Sequence, residues 1–470
     1  MRVLCFCLCL FACDDTPTRP AGCTSPDFDG APVGVRCNQL VDRLGRTVLL
    51  HGVNAHFQGI VDYRLADGSM TSIDAPPLLP DDAARIRAMG QNVVRLPINW
   101  SALEPTETGG FDEAVMERIA QVVEQCRAAG VWVLLDMHQD GYSKYTGTDG
   151  QPDWATLPLP AMRPSDASSN ISQAAMAAFG TFFGDSADGV RLRQRFAAAL
   201  VHLAQRWGQD DAVVGFELFN EPLGATDYQL VKFDREMVAA LRPIAPKKLL
   251  FFEPSAVRNV VDMANPGMDS VAAGTVYSPH VYTAVFAQVA HPLTKDELAP
   301  SVESTRIEAN GYRAPLVITE FGYGPTDPEF ANYARWEGEL QDAQLASALF
   351  WVWKESVTSG SSWGFFDIDP STGAETERTA AIEAFSRVRL EAAAGALVAV
   401  RYDADAHVFE AQFDGDSHTT APNLVSIGRT PGFAGWQAFC DGKPVAITRA
   451  EPLAILCNGP GRHSIRLESR

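Results

Sequence analysis

Two glutamates about 100 residues apart each end a short apolar run of this chain. Glu221 is the third residue of a Phe-Asn-Glu-Pro motif, and Glu320 is the second residue of a Thr-Glu-Phe-Gly motif. Cleavage of a glycosidic bond requires a pair of carboxyls, because one protonates the leaving oxygen while the other acts at the anomeric carbon. The two residues therefore predict this chemistry, provided that the fold brings their carboxyls together.

Both motifs belong to a pattern that repeats along the chain, in which a short β-branched apolar run precedes a longer amphipathic stretch. The runs are Thr47–Asn54, Asn92–Ile98, Val131–Met137, Val213–Phe219, Lys248–Glu253, Gly274–Tyr282, Pro315–Phe321 and Ser347–Lys354. Continuous apolar runs of this length are typical of strands that are buried on both faces of a parallel sheet. Eight such units favour a (β/α)8 barrel, the TIM barrel of the α/β class, over a doubly wound sheet.

Polar or aromatic residues end all eight runs. They are Asn54 and His56, Arg95, His138 and Asp140, Asn220 and Glu221, Glu253, His280 and Tyr282, Glu320, and Trp353 and Lys354. One buried histidine or arginine is more often a satisfied core residue than a catalyst. Eight such groups at equivalent positions are different, because the C-terminal ends of barrel strands meet at one mouth. The constellation therefore predicts a single site.

At these motifs the sequence resembles glycoside hydrolase family 5 and its wider clan of barrel glycosidases, from roughly Val35 to Val388. The resemblance implies that Glu221 is the acid/base and that Glu320 is the nucleophile. It also implies carboxyls about 5–5.5 Å apart, a glycosyl-enzyme intermediate and retained configuration. Because Glu221 must be protonated before it acts, we expect its pKa to be raised, partly by the charge on Glu320.

The same resemblance gives three strand-end residues roles beside the two glutamates. Arg95 would hydrogen-bond Glu320 and hold it ionised. Tyr282 would also contact Glu320, whereas His280 would orient Glu221.

Four further residues would bind the sugar itself if the resemblance holds. Asn220 would hydrogen-bond the 2-hydroxyl, a contact that strengthens in the transition state. His138 and Asp140 would bind other hydroxyls, and Trp353 would form a flat apolar platform under the ring.

Within the family, the sequence resembles the endoglycoceramidase branch, whose members release the glycan from glycosphingolipids. The likeness lies in the segments Leu135–Ser143 and Asn99–Pro105 and in the C-terminal strands. The segment Asn54–Ile60 lacks the lysine expected there in this branch. Two alternatives therefore stay open: an endo-β-glucanase or β-glucosidase acting on soluble glucans, and a non-catalytic carbohydrate-binding protein.

The net charge and the spacing of cysteine and histidine residues indicate which classes of binding partner the sequence disfavours. The formal net charge of −20 argues against nucleic acid, because binding phosphates requires clustered lysine and arginine. No cysteine and histidine residues have the spacing of metal ligands. We therefore expect a carbohydrate or glycolipid substrate, with no metal and no cofactor.

The N-terminus predicts export. A single basic residue, Arg2, precedes the apolar run Val3–Ala12, which is too short to span a bilayer and is typical of a signal segment. The run ends before Cys13 in a sequence that resembles a bacterial lipoprotein processing site. We expect an extracellular, periplasmic or lipid-anchored protein, with lipidated Cys13 as a possible membrane tether.

The remaining chain divides into three parts. Residues 14–35 read as a Pro/Asp/Gly-rich linker, residues 36–389 as the catalytic barrel, and residues 390–470 as a small antiparallel β-sandwich with turn signals every 8–12 positions. Packing against the barrel is the role favoured for the sandwich, with carbohydrate binding as the alternative. In an oxidising compartment, Cys440 could pair with Cys457 and Cys23 with Cys37.

Overall fold

A computed structural model of the chain describes residues 32–56, 76, 78–161, 171–262, 271–287, 291–355, 362–369, 372–432, 435–448 and 450–469. Three short antiparallel strands come first: β1 (Val33–Arg36), β2 (Gln39–Asp42) and β3 (Thr47–Val48).

A closed parallel barrel follows. Its strands are β4 (His51–Asn54), β5 (Val93–Asn99), β6 (Trp132–His138), β7 (Val213–Glu217), β8 (Leu249–Phe252), β9 (Thr275–Tyr277), β10 (His280–Val281), β11 (Val317–Phe321) and β12 (Ser347–Phe350). The two segments β9 and β10 together form the sixth barrel strand, since β9 pairs with β8 while β10 pairs with β11. Strand β12 pairs with β4 and closes the ring. The predicted barrel with eight strand positions is confirmed.

Helices surround the ring and connect its strands. They are α1 (Asp82–Ala88), α2 (Trp100–Leu103), α3 (Glu113–Ala129), α4 (Gln173–Phe183), α5 (Ala187–Trp207), α6 (Asp227–Leu241), α7 (Thr283–Phe286), α8 (Lys295–Tyr312), α9 (Phe330–Ala343) and α10 (Thr379–Phe385), with 3-10 helices at Asp153–Ala155 and Ala256–Asn259. Local signals fix some ends: the Asp112 side chain accepts from two backbone N–H groups at the start of α3, and Gly130 ends that helix with φ 69°. None of the helices in the described part of the chain combines the length and apolar character that a bilayer crossing needs.

Aliphatic side chains fill the lower end of the barrel, where the strands begin. Leu50, Val93, Leu134 and six other apolar residues of the barrel strands and their approaches pack into one buried cluster with Val33, Leu40 and Val48. The three N-terminal strands therefore cap this end of the barrel. Burial of apolar area on this scale is the main stabilising contribution to such a fold, and it leaves the opposite end for the polar residues that terminate the strands.

Two antiparallel sheets make up the rest of the chain, together with the hairpin of β13 (Phe366–Ile368) and β14 (Glu375–Glu377). Their strands are β15 (Arg389–Ala393), β16 (Gly395–Asp403), β17 (Val408–Gly415), β18 (Asn423–Ser426), β19 (Trp436–Cys440), β20 (Lys443–Val445), β21 (Ile447–Thr448), β22 (Leu453–Ile455) and β23 (Gly461–Ser469). One sheet has the order β16-β17-β23-β19-β20, and the other has the order β1-β2-β3-β15-β18-β22-β21. The predicted antiparallel C-terminal region is present.

The second sheet joins the two ends of the chain. Strand β3 pairs with β15 through Val48 and Ala392, so the residues from Val33 to Val48 lie with the C-terminal strands. The sequence placed residues 33–35 in a linker and residues 36–48 in the barrel domain, because pairing between strands so distant along the chain leaves no local signal.

A disulfide links Cys440 at the end of β19 to Cys457 after β22, as the sequence allowed. The bond connects the two C-terminal sheets. The other proposed pair includes Cys23, which lies outside the described residues.

Candidate active site

Arg95 is the centre of a buried polar network at the C-terminal end of the barrel. Its side chain projects from the middle of β5 and has no exposed surface. One terminal nitrogen, Nη1, donates to Glu320 Oε1 at 2.5 Å and to Asn54 Oδ1 at 3.0 Å, and the other, Nη2, donates to Asn220 Oδ1 at 2.7 Å. One guanidinium therefore fixes residues from three other strand ends, because its five N–H groups diverge in a rigid plane.

Three further carboxylates complete the surroundings of Arg95. Glu217 accepts from Nε, Asp136 Oδ2 lies 3.0 Å from Nη2, and Glu253 Oε1 lies 3.4 Å from Nη2. Burial works to lower the pKa of Arg95, but these carboxylates and Glu320 raise it well above its ordinary value. The guanidinium therefore stays charged. Glu217 was not identified from the sequence, because it lies within the apolar run rather than at its end.

Glu320 ends β11 and is held by two donors. Arg95 contacts one carboxylate oxygen, and the Tyr282 hydroxyl donates to the other at 3.0 Å. Burial raises the pKa of Glu320, His280 and Arg95 lower it, and the nearby charge of Glu221 raises it again, so that the pKa ends above its ordinary value. Both donors aim the carboxylate into the mouth of the barrel.

Glu221 lies just past the end of β7, with its carboxyl between two side chains on neighbouring elements. His280 Nδ1 lies 2.8 Å from Glu221 Oε1, and the Asn259 amide donates to the same oxygen at 2.6 Å. Asn259 belongs to the turn after β8 rather than to a strand end, which is why the sequence pattern did not reveal it.

The expected rise in the pKa of Glu221 is wrong for this geometry. Burial alone would raise it, but the hydrogen bond and the positive charge of His280 bring the pKa below its ordinary value. Burial likewise works to lower the pKa of His280, and Glu253 and Glu320 raise it well above its ordinary value. The direct neighbour His280, rather than the charge on Glu320, therefore determines the direction of the shift in the pKa of Glu221.

The two catalytic candidates are close enough to act on one atom. One carboxylate oxygen of Glu221, one of Glu320 and a ring nitrogen of His280 all lie within 4.8 Å of one another. Inverting glycosidases keep their carboxyls about 6.5–9.5 Å apart to admit a water molecule, whereas retaining ones keep them about 5–5.5 Å apart. The spacing matches the retaining arrangement.

A second polar group lies beside the first and includes the predicted sugar ligands His138 and Asp140. His138 Nδ1 lies 2.7 Å from Asp136 Oδ2, and its Nε2 lies 3.7 Å from Asp140 Oδ2. Burial works to lower the pKa of His138, but Asp136 and Asp140 raise it well above its ordinary value. Asp149, which the sequence analysis missed because it lies in a loop, brings a buried carboxyl within 4.8 Å of both.

These two clusters also have the composition of cation sites. In the structure the side chains of each cluster pair with one another, His138 with Asp136 and His280 with Glu221.

Trp351, and not Trp353, has an accessible ring at the mouth, so the structure does not place Trp353 where the sequence predicted a platform. Trp353 is 1% exposed and packs edge-on against Phe366 at 4.8 Å between ring centroids. Trp351 is partly exposed and stacks on His138 with centroids 5.5 Å apart and planes 11° apart. Strand β12 ends at Phe350, earlier than the apolar run suggested, so the first tryptophan rather than the second reaches the site.

Comparison with known proteins agrees with this geometry. A family model described as Cellulase (glycosyl hydrolase family 5) matches residues 60–357. Endoglycoceramidase I from Rhodococcus hoagii (strain 103S) is 31% identical over 315 residues, which are 61% of this chain and 61% of that protein. The match thus spans about three fifths of the length of that relative.

Solved structures share the fold along nearly the whole chain. Endo-glycoceramidase II from Rhodococcus sp., solved as a lactosyl-enzyme intermediate, has a TM-score of 0.75 with 23% identity and covers 92% of this chain and 100% of its own. A crystal structure of an endogalactoceramidase has a TM-score of 0.73 with 26% identity and covers 93% of this chain and 99% of its own.

Proposed function

Because this chain belongs to glycosyl hydrolase family 5, we propose that it is a retaining β-glycosidase that cleaves glycosphingolipids or related β-glycosides between sugar and aglycone. The observation that carries the proposal is the pair of carboxylate oxygens of Glu221 and Glu320 within 4.8 Å at the barrel mouth. The names of the Rhodococcus hoagii relative and of the endogalactoceramidase support an endo-acting enzyme on lipid-linked sugars.

In the first step, an oxygen of Glu320 bonds to the anomeric carbon while the glycosidic bond breaks. The leaving oxygen takes the proton that Glu221 and His280 hold between them over 2.8 Å. Arg95 and the Tyr282 hydroxyl hold the attacking carboxylate in place. The products of this step are a glycosyl ester on Glu320 and the free aglycone.

In the second step, water attacks the anomeric carbon and the ester bond to Glu320 breaks. The ester carries no charge, so Glu221 no longer faces a second carboxylate and can take the proton of the water. Departure of Glu320 restores the starting charges. Two displacements on the same carbon give net retention of configuration.

One side of the mouth combines an aromatic ring with polar side chains, and we propose that the sugar binds there. Trp351 offers a flat face, and His138 and Asp140 offer charged partners for hydroxyl groups beside it. We expect Asn220, which Arg95 holds in place, to bind the 2-hydroxyl of the sugar that Glu320 attacks. Binding sites that join one flat apolar surface to a few polar groups are typical of carbohydrate recognition.

Exposed apolar residues lie next to the side chains that contact Glu221 and Glu320, and we propose that they contact the aglycone. Val257, Val260 and Val261 flank Asn259, the partner of Glu221, and have exposed fractions of 50%, 60% and 43%. Phe286 is 47% exposed and stacks on Tyr282, the partner of Glu320, and its helix α7 contacts the turn that carries the valines. Clustered exposed apolar side chains at an active-site rim indicate an apolar partner, and a ceramide meets this requirement.

A substrate panel tests the proposal directly. We expect release of intact oligosaccharide from a fluorescent glycosphingolipid, together with turnover of an aryl β-lactoside and the β-anomer as first product. Turnover of cello-oligosaccharides without action on the lipid would instead assign the chain to the glucanases or β-glucosidases. Binding of these sugars without any cleavage would assign it to the carbohydrate-binding proteins.

Val260→Asp should selectively impair action on lipid. A charge at this exposed position opposes contact with acyl chains, so we expect kcat/KM on glycosphingolipid in detergent micelles to fall about tenfold, a loss of about 1.4 kcal/mol in transition-state binding. The aryl β-lactoside, which has no acyl chain, should be cleaved at the wild-type rate.

The control for this variant is Ile307→Asp. Ile307 is 58% exposed in the second half of α8, on the side where the barrel strands begin. We expect both substrates to be cleaved normally by this variant. Equal losses on lipid for the two variants would contradict a lipid-binding role for the rim.

We further propose that the protein is exported. The residues that predict this, Met1 to Cys13, lie outside the described residues, so both the signal and lipidation of Cys13 stay predictions. Support comes from the Cys440–Cys457 disulfide, because such bonds persist in oxidising compartments. Radiolabelled palmitate incorporation into the wild type and into Cys13→Ala would separate a lipid-anchored form from a freely secreted one.

A further inference from the structure

Glu253, the residue that follows β8, lies beneath the active site. It contacts the backbone of Glu221 and lies close to Arg95 and His280, which are the partners of Glu320 and Glu221. Its side chain is 2% exposed. One carboxylate oxygen, Oε2, accepts from the backbone N–H of Glu221 at 3.0 Å. The other, Oε1, lies 3.4 Å from His280 Nε2 and 3.4 Å from Arg95 Nη2. Glu253 therefore contacts the backbone of Glu221 directly. It also lies close to His280, which contacts the Glu221 side chain.

The backbone contact falls on an unusual conformation. Glu221 has φ 45°, in the left-handed region that residues with a Cβ rarely adopt. This turn sends the Glu221 side chain toward His280 and Asn259 instead of along the line of β7. An acceptor for the Glu221 amide stabilises the turn, because a buried N–H without a partner is costly.

We propose that Glu253 is a positioning residue for the acid/base: its carboxyl holds the Glu221 backbone in the left-handed turn and stabilises the proton shared by His280 and Glu221. This role rests on the proposed glycosidase function. Glu253 would act through Glu221 and His280, because its own carboxyl is buried below the mouth and does not contact the sugar.

The charges around His280 define the electrostatic part of this role. Glu221 and Glu320 face its Nδ1, Glu253 faces its Nε2, and the Arg258 guanidinium lies 3.4 Å from its carbonyl oxygen. A negative Glu253 opposes loss of the shared proton, because that loss would leave three carboxylates around a neutral ring.

Glu253 itself is surrounded by His280, Arg95 and Glu217, with Asp234 on the other side of a cavity of about 270 Å³. Burial raises the pKa of Glu253 to about 8, with His280 and Arg95 lowering it and Glu217 raising it. The carboxyl is therefore neutral in the acidic range and becomes negative as the pH rises past about 8, where it supports the shared proton. Removing that charge should move the alkaline limb of the kcat/KM profile to lower pH.

Glu253→Gln tests the proposal with two aryl β-lactosides. The amide keeps one acceptor for the Glu221 N–H but presents no charge to His280. Departure of 4-methylumbelliferone needs protonation, so we expect kcat/KM for this substrate to fall about tenfold at about pH 9, where the wild-type carboxyl is charged, and to change little at about pH 6. Departure of 2,4-dinitrophenolate needs none, so its kcat/KM should stay within about twofold of wild type. The alkaline limb for the first substrate should move down by about one pH unit.

Asp234→Asn is the matched control, because Asp234 is a buried carboxyl that lines the same cavity as Glu253. It should leave both substrates and the pH profile unchanged. Equal losses on the two substrates in Glu253→Gln would show that Glu253 acts through Arg95 and Glu320, and would overturn the proposal. An unchanged profile would overturn it as well. A wild-type protein that cleaves neither lactoside would refute the proposed function instead, and melting curves identify any variant that fails to fold.

Discussion

Glu320→Gln should lower turnover of an aryl β-lactoside by about 10⁴-fold or more and should abolish covalent labelling by a 2-fluoro glycoside. The amide has the same shape as the carboxyl; its oxygen can still accept from Arg95, and its NH2 group can donate to the Tyr282 hydroxyl, so the fold should persist. It is no nucleophile, however, and forms no ester with the anomeric carbon. Intact-mass measurement after incubation with 2,4-dinitrophenyl 2-deoxy-2-fluoro-β-lactoside should show one added glycosyl group on the wild type and none on the variant.

Glu221→Gln supplies the control for this experiment. The activated leaving group needs no acid, so this variant should still become labelled, and release of the label should be slow because no base activates water. The labelled peptide should contain Glu320. A label on the peptide with Glu221 would reverse the two roles, and an inverted first product would defeat the retaining mechanism.

The strand-end residues could be predicted from sequence because barrel geometry is repetitive. Once eight buried runs are recognised, the residue after each run must lie at the same mouth. Glu221, Glu320 and His280 were identified in this way, and the structure brings them into one network with Arg95, which lies within β5 rather than at its end.

Other features of the site depend on distances that no local pattern encodes. Asn259 and Asp149 lie in connecting segments, whose path is determined by packing rather than by periodicity. Trp351 and Trp353 are two residues apart, and the point at which β12 ends decides which of them lies beside His138 at the mouth. Strand ends are the least certain part of any prediction from sequence.

The direction of the shift in the pKa of Glu221 could not be predicted from the sequence either, because it depends on which charged group is nearest. From the sequence, the nearest charge was that of Glu320, which predicted a raised pKa. In the structure His280 is the direct neighbour, at 2.8 Å, and two other carboxylates keep it protonated. Coulomb interactions fall with distance and grow with burial, so the order of neighbours decides the direction of the shift.

Arg95→Met should destabilise the protein strongly, and more so at pH 8 than at pH 5. The substitution keeps most of the apolar volume but leaves Glu217, Asp136 and Glu320 buried around a neutral side chain. Removing one partner of a buried ion pair costs about 3–5 kcal/mol of unfolding free energy. Catalysis should be lost as well, because Glu320 loses the cation that holds it.

The pH dependence follows from the unpaired carboxylates. Burial already raises the pKa of Glu320, and loss of Arg95, which lowers it, raises it further; the folded variant then binds more protons than the unfolded chain, and its stability falls as pH rises. Denaturant unfolding of wild type and Arg95→Met at pH 5 and pH 8 should therefore show the larger loss at pH 8. Arg258→Met is the control, because Arg258 is equally buried but pairs with one carboxylate, Glu308, and its loss should depend less on pH. An equal loss for Arg95→Met at both pH values would mean that its packing, and not its charge, supports the site.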